Sequence, residues 1–439
     1  MSISIKEFQQ RRQELMNHME PQSIAIIAAA NPLLRNGDSD YRYRQNSDMY
    51  YLSGFAEAHS VLVLIPGREQ GQCLLFCQEK DVLKELWNGR LMGPENAQQV
   101  LGVDDAFPIG DIDDILPGLI EGRERVYYAM GKDEHFDHRV MEWVKVVRQK
   151  VRSGVHSPGE FLVLGHLLHE MRLIKSKAEL ELMRKAGQIA VRAHQRAMQV
   201  CRPGMYEYEV EAEFVHEFCR SGCLAPAYNS IVAGGDNACI LHYNENNMVL
   251  TDGDLLLIDA GCEYDYYASD ITTTFPVNGK FSAEQKAIYE LVLEAQLAAI
   301  AEVQPGKHWD DPHNATVRVL AAGLLRLGLL EGTLDEVIES GSFREFYMHR
   351  AGHWLGMDVH DVGDYKIDGK WRVLEPGMVM TVEPGLYVSP QNTKVEARWR
   401  GIGVRIEDDV AVTRSGHEIL TSGLPRTVAE IESFMAAAR

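Results

Sequence analysis

Two segments in the second half of this 439-residue chain share a pattern that restricts how that half can fold. DGDLLLIDAG and EPGMVMTVEPG each contain an acidic turn with glycine, then an apolar run, then a carboxylate six residues after that glycine. A second strand pattern with another acid follows each segment, in YYASDITTTF and in GVRIEDDVAV. The four acids are Asp259, Asp270, Glu383 and Glu407. Two copies of strand, turn and strand predict an α+β domain made of two half-domains with a pseudo-twofold relation.

The first 172 residues have a different pattern, in which short apolar runs alternate with helical stretches. SIAIIAAAN, SVLVLIPG and QCLLFCQ are typical of strands, whereas DVLKELWNG and HRVMEWVKVVRQK are typical of helices. We therefore expect an α/β domain with a mixed sheet covered by helices. A second domain is predicted to begin after this region, because Ser176 and Glu179 fit a capping box in front of a long helical pattern. The predicted domains are residues 1–172 and 173–439.

The composition excludes several classes of partner. The formal net charge is −20, which argues against nucleic acid or an anionic membrane surface. No apolar run approaches the ~18–20 residues of a membrane span, and the N-terminal helical pattern has no secretory cleavage site. The seven cysteines match no zinc or C-x-x-C pattern, so we expect buried thiols in a reducing compartment. These features predict a cytoplasmic protein.

Each of the four acids is costly to bury without a partner. Asp259 ends one apolar run and Glu383 follows another, and an ionised carboxylate in such surroundings needs a counter-charge or a metal ion. Any one of them alone would usually be a turn or loop residue. We expect Asp408 and Asp409, beside Glu407, to face solvent. Four such acids with few bases nearby predict a shared cation.

The segment MHRAGHWLGMDVHD adds His349, His353 and His360 within twelve residues. One of them could complete a carboxylate-rich site while the others donate hydrogen bonds, and the residues alone leave open which one ligates. If the segment is helical, His349 and His353 share one face. Four carboxylates match the charge of two divalent ions, and one imidazole would complete the ligand set. This hard ligand set favours Mn²⁺, with Co²⁺ or Zn²⁺ as alternatives.

The order and spacing of these motifs resemble those of the pita-bread metallopeptidases, which include methionine aminopeptidase, prolidase and Xaa-Pro aminopeptidase. The resemblance covers roughly residues 175–435 and implies the pita-bread fold with two bound metals. The implied ligands are Asp259, Asp270, His353, Glu383 and Glu407. In the first domain, SDYRYRQNSDMYYLSGF resembles the signature of bacterial aminopeptidase P. The implied activity is release of the N-terminal residue from peptides with proline at the second position.

The same resemblance implies how the reaction proceeds. A hydroxide that bridges the two metals would attack the carbonyl in front of proline. Glu383 would carry a proton to the leaving nitrogen. His242, in NACILHYNEN, and His360 would stabilise the oxyanion or the leaving imide.

Further residues would bind the substrate or support the ligands. His349 would line the pocket for the proline ring, and Tyr387 and Arg405 would order the surroundings of the metals. Trp87 and Arg152 of the first domain are at the positions where the family uses a tryptophan and an arginine to close the site, sometimes from a neighbouring subunit. A homo-oligomer, a dimer or tetramer, is therefore expected.

One position departs from the family pattern, because Arg350 rather than glycine follows the first histidine of its segment. The departure removes no metal ligand, but it is expected to alter the pocket or the substrate preference. Prolidase, which cleaves only Xaa-Pro dipeptides, is the nearest alternative function. A non-catalytic binding protein on the same fold and a creatinase-like hydrolase without metals are further alternatives, which the complete ligand set disfavours.

Overall fold

The computed structural model describes residues 2–438 of the chain. It divides into two compact units, Ser2–Arg172 and a second unit that begins at Leu173. We describe each unit by itself. Among the described residues, no helix is long and apolar enough to cross a membrane.

The first unit contains a six-stranded mixed sheet in the order β6-β5-β4-β1-β7-β8, together with a small hairpin. The strands are β1 (Ser23–Ala28), β2 (Leu34–Asn36), β3 (Ser39–Asp40), β4 (Val61–Leu64), β5 (Cys73–Cys77), β6 (Asp105–Pro108), β7 (Arg125–Tyr128) and β8 (Glu160–Val163). β1, β7 and β8 are parallel, whereas β4 is antiparallel to both β1 and β5. The predicted mixed sheet is confirmed.

Helices cover this sheet and bury their apolar sides against it. They are α1 (Ile5–His18), α2 (Ser47–Ser53), α3 (Val82–Asn88), α4 (Gly93–Leu101), α5 (Ile112–Ile120), α6 (Glu134–Gln149) and α7 (Gly165–Leu173). Leu116 of α5 and Trp143 of α6 pack with Phe76 of the sheet in one core. α3 is the exception, since none of its residues is buried.

Most helices of the second unit begin at strong capping signals. The helices are α8 (Lys177–Val200), α9 (Glu207–Arg220), α10 (Ala283–Glu302), α11 (Asp311–Arg326), α12 (Leu334–Ser340) and α13 (Val428–Ala437). The predicted capping box of Ser176 and Glu179 is confirmed at the start of α8. Ser282 and Gln285 form a second box at α10. Each box satisfies backbone N–H groups that the first helical turn leaves without partners.

Apart from two short hairpins, the strands of the second unit form two antiparallel groups, as the repeated pattern predicts. The strands are β9 (Ile231–Gly234), β10 (Leu255–Asp259), β11 (Glu263–Tyr264), β12 (Tyr267–Ala268), β13 (Thr272–Pro276), β14 (Lys366–Ile367), β15 (Lys370–Trp371), β16 (Val379–Val382), β17 (Gly385–Val388), β18 (Ile402–Arg405), β19 (Asp408–Thr413) and β20 (Gly416–Ile419). The first group has the order β13-β10-β9, and the second contains β16-β19-β20 and the pair β17-β18.

Two expectations from the sequence are wrong in this unit. Asp408 and Asp409 do not face solvent, because they are only 5% and 1% exposed. The cysteines form no disulfide within the described residues, but Cys219 is exposed and Cys239 is partly exposed instead of buried. The other five cysteines are buried, as expected.

Candidate active site

Four carboxylates and one imidazole reach one place from separate stretches of the second unit. They are Asp259 at the end of β10, Asp270 between β12 and β13, His353 in the loop before β14, Glu383 directly after β16, and Glu407 between β18 and β19. The antiparallel pairing explains the convergence, since Asp259 lies opposite Thr272 and Val382 lies opposite Asp408. Each strand pair therefore brings its two acids to one end.

The distances between these side chains are those of a compact cluster. His353 Nε2 lies 3.3 Å from Asp270 Oδ2 and 3.6 Å from Glu383 Oε1. Ligand atoms of Asp270, His353 and Glu407 all lie within 4.8 Å of one another. All five residues line one cavity of about 410 Å³. A small cation within this cluster would have several ligands from one cavity wall.

The loop that carries His353 is irregular rather than helical, so the conditional expectation of one helical face with His349 does not apply. His353 N donates to Thr381 Oγ1 at 3.0 Å, and Glu383 N donates to the carbonyl oxygen of Ala351 at 2.9 Å. Gly352 lies so close to β16 that a Cβ there would stand 2.0 Å from the carbonyl oxygen of Thr381. The loop thus bonds to the end of β16 and brings His353 beside Glu383.

Burial and mutual repulsion make the anionic form of this cluster unfavourable. Burial, followed by the charge of Asp259, raises the pKa of Asp270. Burial also raises the pKa of Glu383 to about 7, and it raises that of Glu407 well above the ordinary value. Burial opposes the charge of His353, but Asp270 and Glu383 outweigh it and raise the His353 pKa to about 9. The cluster therefore needs positive charge, as protons or as cations.

The donor set fits divalent cations. Oxygen ligands with one imidazole suit hard ions such as Mn²⁺, and the combined charge of four carboxylates equals that of two divalent ions. The only fixed cation in hydrogen-bonding contact with a carboxylate of the set, among the described residues, is Arg405, whose Nη2 donates to Asp259 Oδ2 at 2.7 Å. One guanidinium balances the charge of one carboxylate, so the negative charge of the other three acids still has to be compensated by cations.

A hydrogen-bonded chain extends from Arg405 to His349. Arg405 Nη1 donates to the Tyr387 hydroxyl at 2.9 Å, and His349 Nε2 lies 2.9 Å from that hydroxyl. His349 Nδ1 lies 2.7 Å from the carbonyl oxygen of Arg350, which can only accept. The proton therefore belongs on Nδ1, and Nε2 accepts from Tyr387. Burial, followed by the charge of Arg405, lowers the pKa of His349 to about 4, so the ring is neutral at pH 7.

Tyr228 belongs to the same site, although the sequence analysis did not find it. Its hydroxyl donates to Asp259 Oδ1 at 2.6 Å and also contacts Asp270 Oδ1. Burial, followed by the charge of Asp259, raises its pKa well above the ordinary value, so the phenol keeps its proton. A tyrosine in a loop without periodicity offers no signal of this role in the sequence. The contact holds the two aspartates together.

The two buried acids beside Glu407 support the cluster. Asp409 accepts hydrogen bonds from the backbone N of Asp270, at 3.2 and 3.1 Å to its two oxygens. Asp408 accepts from Gln296 Nε2 at 2.9 Å and from Thr421 Oγ1 at 2.7 Å, and it pairs with Arg426. These bonds are the reason why the two acids are buried. They fix the backbone that directly follows Glu407.

The remaining predicted residues lie at two locations. His242 and His360 line the cavity, and the His360 ring centroid lies 4.4 Å from that of His353. Burial, followed by the charge of His353, lowers the pKa of His360. Trp87 and Arg152 belong to the first unit, where Trp87 is 83% exposed on α3 and Arg152 is exposed in the 3-10 helix Val151–Ser153.

Both units match known protein families. Residues 8–127 match the aminopeptidase P N-terminal domain, and residues 181–414 match metallopeptidase family M24. An Xaa-Pro aminopeptidase of Escherichia coli is 47% identical over 438 residues, which cover 100% of this chain and 99% of the relative. An Xaa-Pro aminopeptidase of Haemophilus influenzae is 45% identical over 98% of this chain and 97% of its own length.

Solved structures of similar proteins have the same fold. The aminopeptidase PepP of Pseudomonas aeruginosa has a TM-score of 0.99 and 61% identity, over 100% of this chain and 99% of its own. A substrate complex of E. coli aminopeptidase P has a TM-score of 0.97 and 46% identity, over 100% of both chains. Each similarity extends over the whole chain, so it includes both the cluster and the first unit.

Proposed function

The chain belongs to metallopeptidase family M24, and on this premise we propose that the five clustered side chains hold the divalent metal ions with which it cleaves peptides. The proposed ligands are Asp259, Asp270, His353, Glu383 and Glu407. The chain is a metal-dependent aminopeptidase that releases the N-terminal residue from peptides with proline at the second position. Its similarity to Xaa-Pro aminopeptidases over the full length favours this function over that of a prolidase.

The family also confirms the predicted fold class. The first domain is α/β, and the catalytic domain is an α+β pita-bread domain with an internal repeat. We propose the domain boundaries 1–172 and 173–439. The division of the structure between Arg172 and Leu173 supports them, as do the two separate family matches.

The main support for the proposed ligand set is that its five side chains converge in one cavity. The family implies divalent ions, and we propose two of them, with Mn²⁺ as the native metal and Co²⁺ or Zn²⁺ as alternatives. When bound, such ions polarise a carbonyl and lower the pKa of water enough for hydroxide to form near neutral pH. A binding protein without catalysis would have no need of the complete set.

The chain's own side chains would position the substrate and move its protons. Glu383 Oε1 accepts from Thr381 Oγ1 at 3.2 Å, which orients a carboxylate able to pass a proton from water to the leaving nitrogen. His242 and His360 lie on the cavity wall, where their N–H groups can stabilise negative charge on the carbonyl oxygen. Arg405 holds Asp259 in place and keeps one cationic charge beside the ligands.

Selection of proline rests on an aromatic wall. The His349 ring centroid lies 4.9 Å from that of Tyr347 and 5.5 Å from that of Tyr387. The half-buried imidazole of His349, which lines the cavity and packs against these two phenol rings, offers a flat surface to a pyrrolidine ring. An Xaa-Pro bond has no amide hydrogen, so recognition must come from the shape of the ring rather than from a backbone hydrogen bond.

A comparison of a tripeptide with a dipeptide tests the function. With Mn²⁺, the purified protein is expected to release alanine from Ala-Pro-Ala, whereas Ala-Ala-Ala should be cleaved at least about 100-fold more slowly because only proline fills the ring pocket. Release of alanine is measured by chromatography. Cleavage of Ala-Pro but not of Ala-Pro-Ala would assign the protein to the prolidases, and no release from either peptide would refute the peptidase function.

The assembly and the cellular location are also proposals. We propose a homo-oligomer, a dimer or tetramer, in which Trp87 and Arg152 help to close the active site of a neighbouring subunit. Val82, Leu83, Leu86 and Trp87 of α3 support this proposal, because they are between 70% and 83% exposed. Four large apolar side chains exposed on one short helix are typical of an interface. A cytoplasmic location agrees with seven cysteines that form no disulfide.

Substitution on α3 tests the oligomer. Leu86→Asp is expected to lower the molar mass in solution, measured by light scattering, because a charge at an apolar interface is costly to bury. Leu297→Asp is the matched control, since Leu297 is a 58% exposed leucine of α10 in the other unit. A monomeric wild-type protein, or an unchanged mass for Leu86→Asp, would contradict the proposed interface.

A further inference from the structure

Arg350 connects the catalytic cavity with the protein surface. It lines the cavity together with His349 and His353, yet 46% of its side chain is exposed. Its Nη2 pairs with Asp310, and the guanidinium carbon lies 4.7 Å from the centre of the Trp371 ring. Neither Asp310 nor Trp371 lines the cavity. Arg350 therefore stands at the mouth of the cavity.

The guanidinium of Arg350 is held in place but keeps free donors. Stacking on Trp371 and the ion pair with Asp310 restrict its plane and its position. A guanidinium has five N–H groups, and among the described residues only Asp310 accepts from Arg350. The donors on Nε and Nη1 remain available on an exposed side chain.

The other arginine that lines the cavity has no free guanidinium nitrogen for a substrate. Arg405 is 4% exposed, and its Nε, Nη1 and Nη2 donate to Thr272, Tyr387 and Asp259 respectively. All three of its nitrogens are therefore engaged inside the protein. Arg350 is the charged donor that a bound peptide can reach without breaking an existing bond.

The position of Arg350 relative to the reaction indicates which part of a substrate it meets. Under the proposed function, the scissile carbonyl lies at the carboxylate cluster and the proline ring lies against His349. The peptide beyond proline must then leave the cavity by its mouth, where Arg350 follows His349 in the chain. A carboxylate is the one common anionic group in that part of a peptide, and its two oxygens match a guanidinium.

We propose that Arg350 binds a carboxylate of the third substrate residue, either the C-terminal carboxylate of an Xaa-Pro-Xaa tripeptide or an acidic side chain at that position. The inference rests on the proposed function and extends it to substrate preference. The enzyme would thus select tripeptides, and longer peptides with aspartate or glutamate in third place, over neutral peptides of the same length.

Four peptides distinguish the two sources of the carboxylate. Ala-Pro-Ala is compared with Ala-Pro-Ala-amide for the chain terminus, and Ala-Pro-Glu-amide with Ala-Pro-Gln-amide for the side chain. In the wild-type enzyme with Mn²⁺, we expect the charged member of at least one pair to have a kcat/KM about 5- to 20-fold higher, mainly through KM. The pair that shows the difference identifies the source.

Variants connect this preference with Arg350. Arg350→Gln is expected to bring the ratio within the responsive pair to near 1, and Arg350→Lys to leave an intermediate ratio because an ammonium lacks the planar fork. Lys366→Gln is the matched control, since Lys366 also lies over Trp371, at 4.1 Å from the ring centre, and does not line the cavity. It should keep the wild-type ratio.

The outcomes distinguish failure of the proposed role of Arg350 from failure of the proposed peptidase function. Equal kcat/KM within both pairs in an active wild-type enzyme would overturn the role of Arg350 and leave the peptidase function in place. A preference that persists in Arg350→Gln, or that Lys366→Gln removes equally, would overturn it as well. Failure of the wild-type enzyme to cleave all four peptides would instead refute the proposed function.

Discussion

Asp270→Ala is expected to lower kcat/KM for Ala-Pro-Ala by about a thousandfold or more, because a lost metal ligand removes several kcal/mol of catalytic stabilisation. Asp270 lies at the centre of the cluster, in contact with His353 and Tyr228. Its removal would release His353 from its nearest carboxylate and reduce the number of metals bound. Peptide hydrolysis and metal content per chain are both measured.

The same variant should stay folded. Burial and the charge of Asp259 raise the pKa of Asp270, so its ionised form is unfavourable in the protein without metal. Loss of that carboxylate relieves repulsion, and the backbone bonds from Asp270 to Asp409 do not depend on the side chain. Asp364→Ala, at an exposed position of the same unit, should keep full activity. Normal turnover by Asp270→Ala would exclude this residue from the metal site.

Removal of the metals by a chelator is expected to abolish hydrolysis and to lower Tm. A ligand present at about 100 times its Kd stabilises a protein by about 2.7 kcal/mol, which for a domain of this size corresponds to a loss of about 5–10 °C on its removal. Addition of Mn²⁺ should restore both properties. Activity and Tm are followed before chelation, after chelation and after return of each metal, with metal content expected near two ions per chain.

The loss of stability should depend on pH with a definite sign. In the protein without metal, burial raises the pKa of Glu383 to about 7, and the Asp270 pKa is also raised. Between the unfolded pKa of about 4 and these folded values, the native state binds more protons than the unfolded state, so stability falls as pH rises. The Tm of the metal-free protein should therefore fall, relative to that of the metal-loaded protein, as the pH rises from about 5 to about 7. Equal Tm values for both forms at pH 7 would contradict a metal site at these residues.

Local sequence patterns predicted much of the framework correctly because their physical causes are local. The capping box of Ser176 and Glu179 satisfies backbone groups within one helical turn, so it marks the start of α8 wherever the helix packs. The apolar runs of β1, β4 and β5 are short and bounded by turn residues. The acids at strand ends were predicted for the same reason, since a charged residue that ends an apolar run can be identified from the sequence alone.

The errors arose where the partner of a residue lies far away in the chain. Asp408 seemed a solvent-facing acid because nothing near it in the sequence could pair with it. Its partners are Gln296, 112 positions away, Thr421 in the turn after β20, and Arg426. The sequence left open whether His353 lies on a helix, and the structure excludes it, because the backbone N–H of His353 donates to the side chain of Thr381 in β16. Long-range bonds decided both cases.

The sequence alone determined the chemistry of the ligands, through four acids in apolar surroundings, one histidine-rich loop and a net charge unsuited to nucleic acid. It did not determine how these residues assemble in space. Only the tertiary structure brought Tyr228 between Asp259 and Asp270, and only it stacked Arg350 on Trp371 at the mouth of the cavity. The physical reason is that residue type determines what a side chain can bind, whereas the path of the backbone determines which side chains come within a few ångströms of one another.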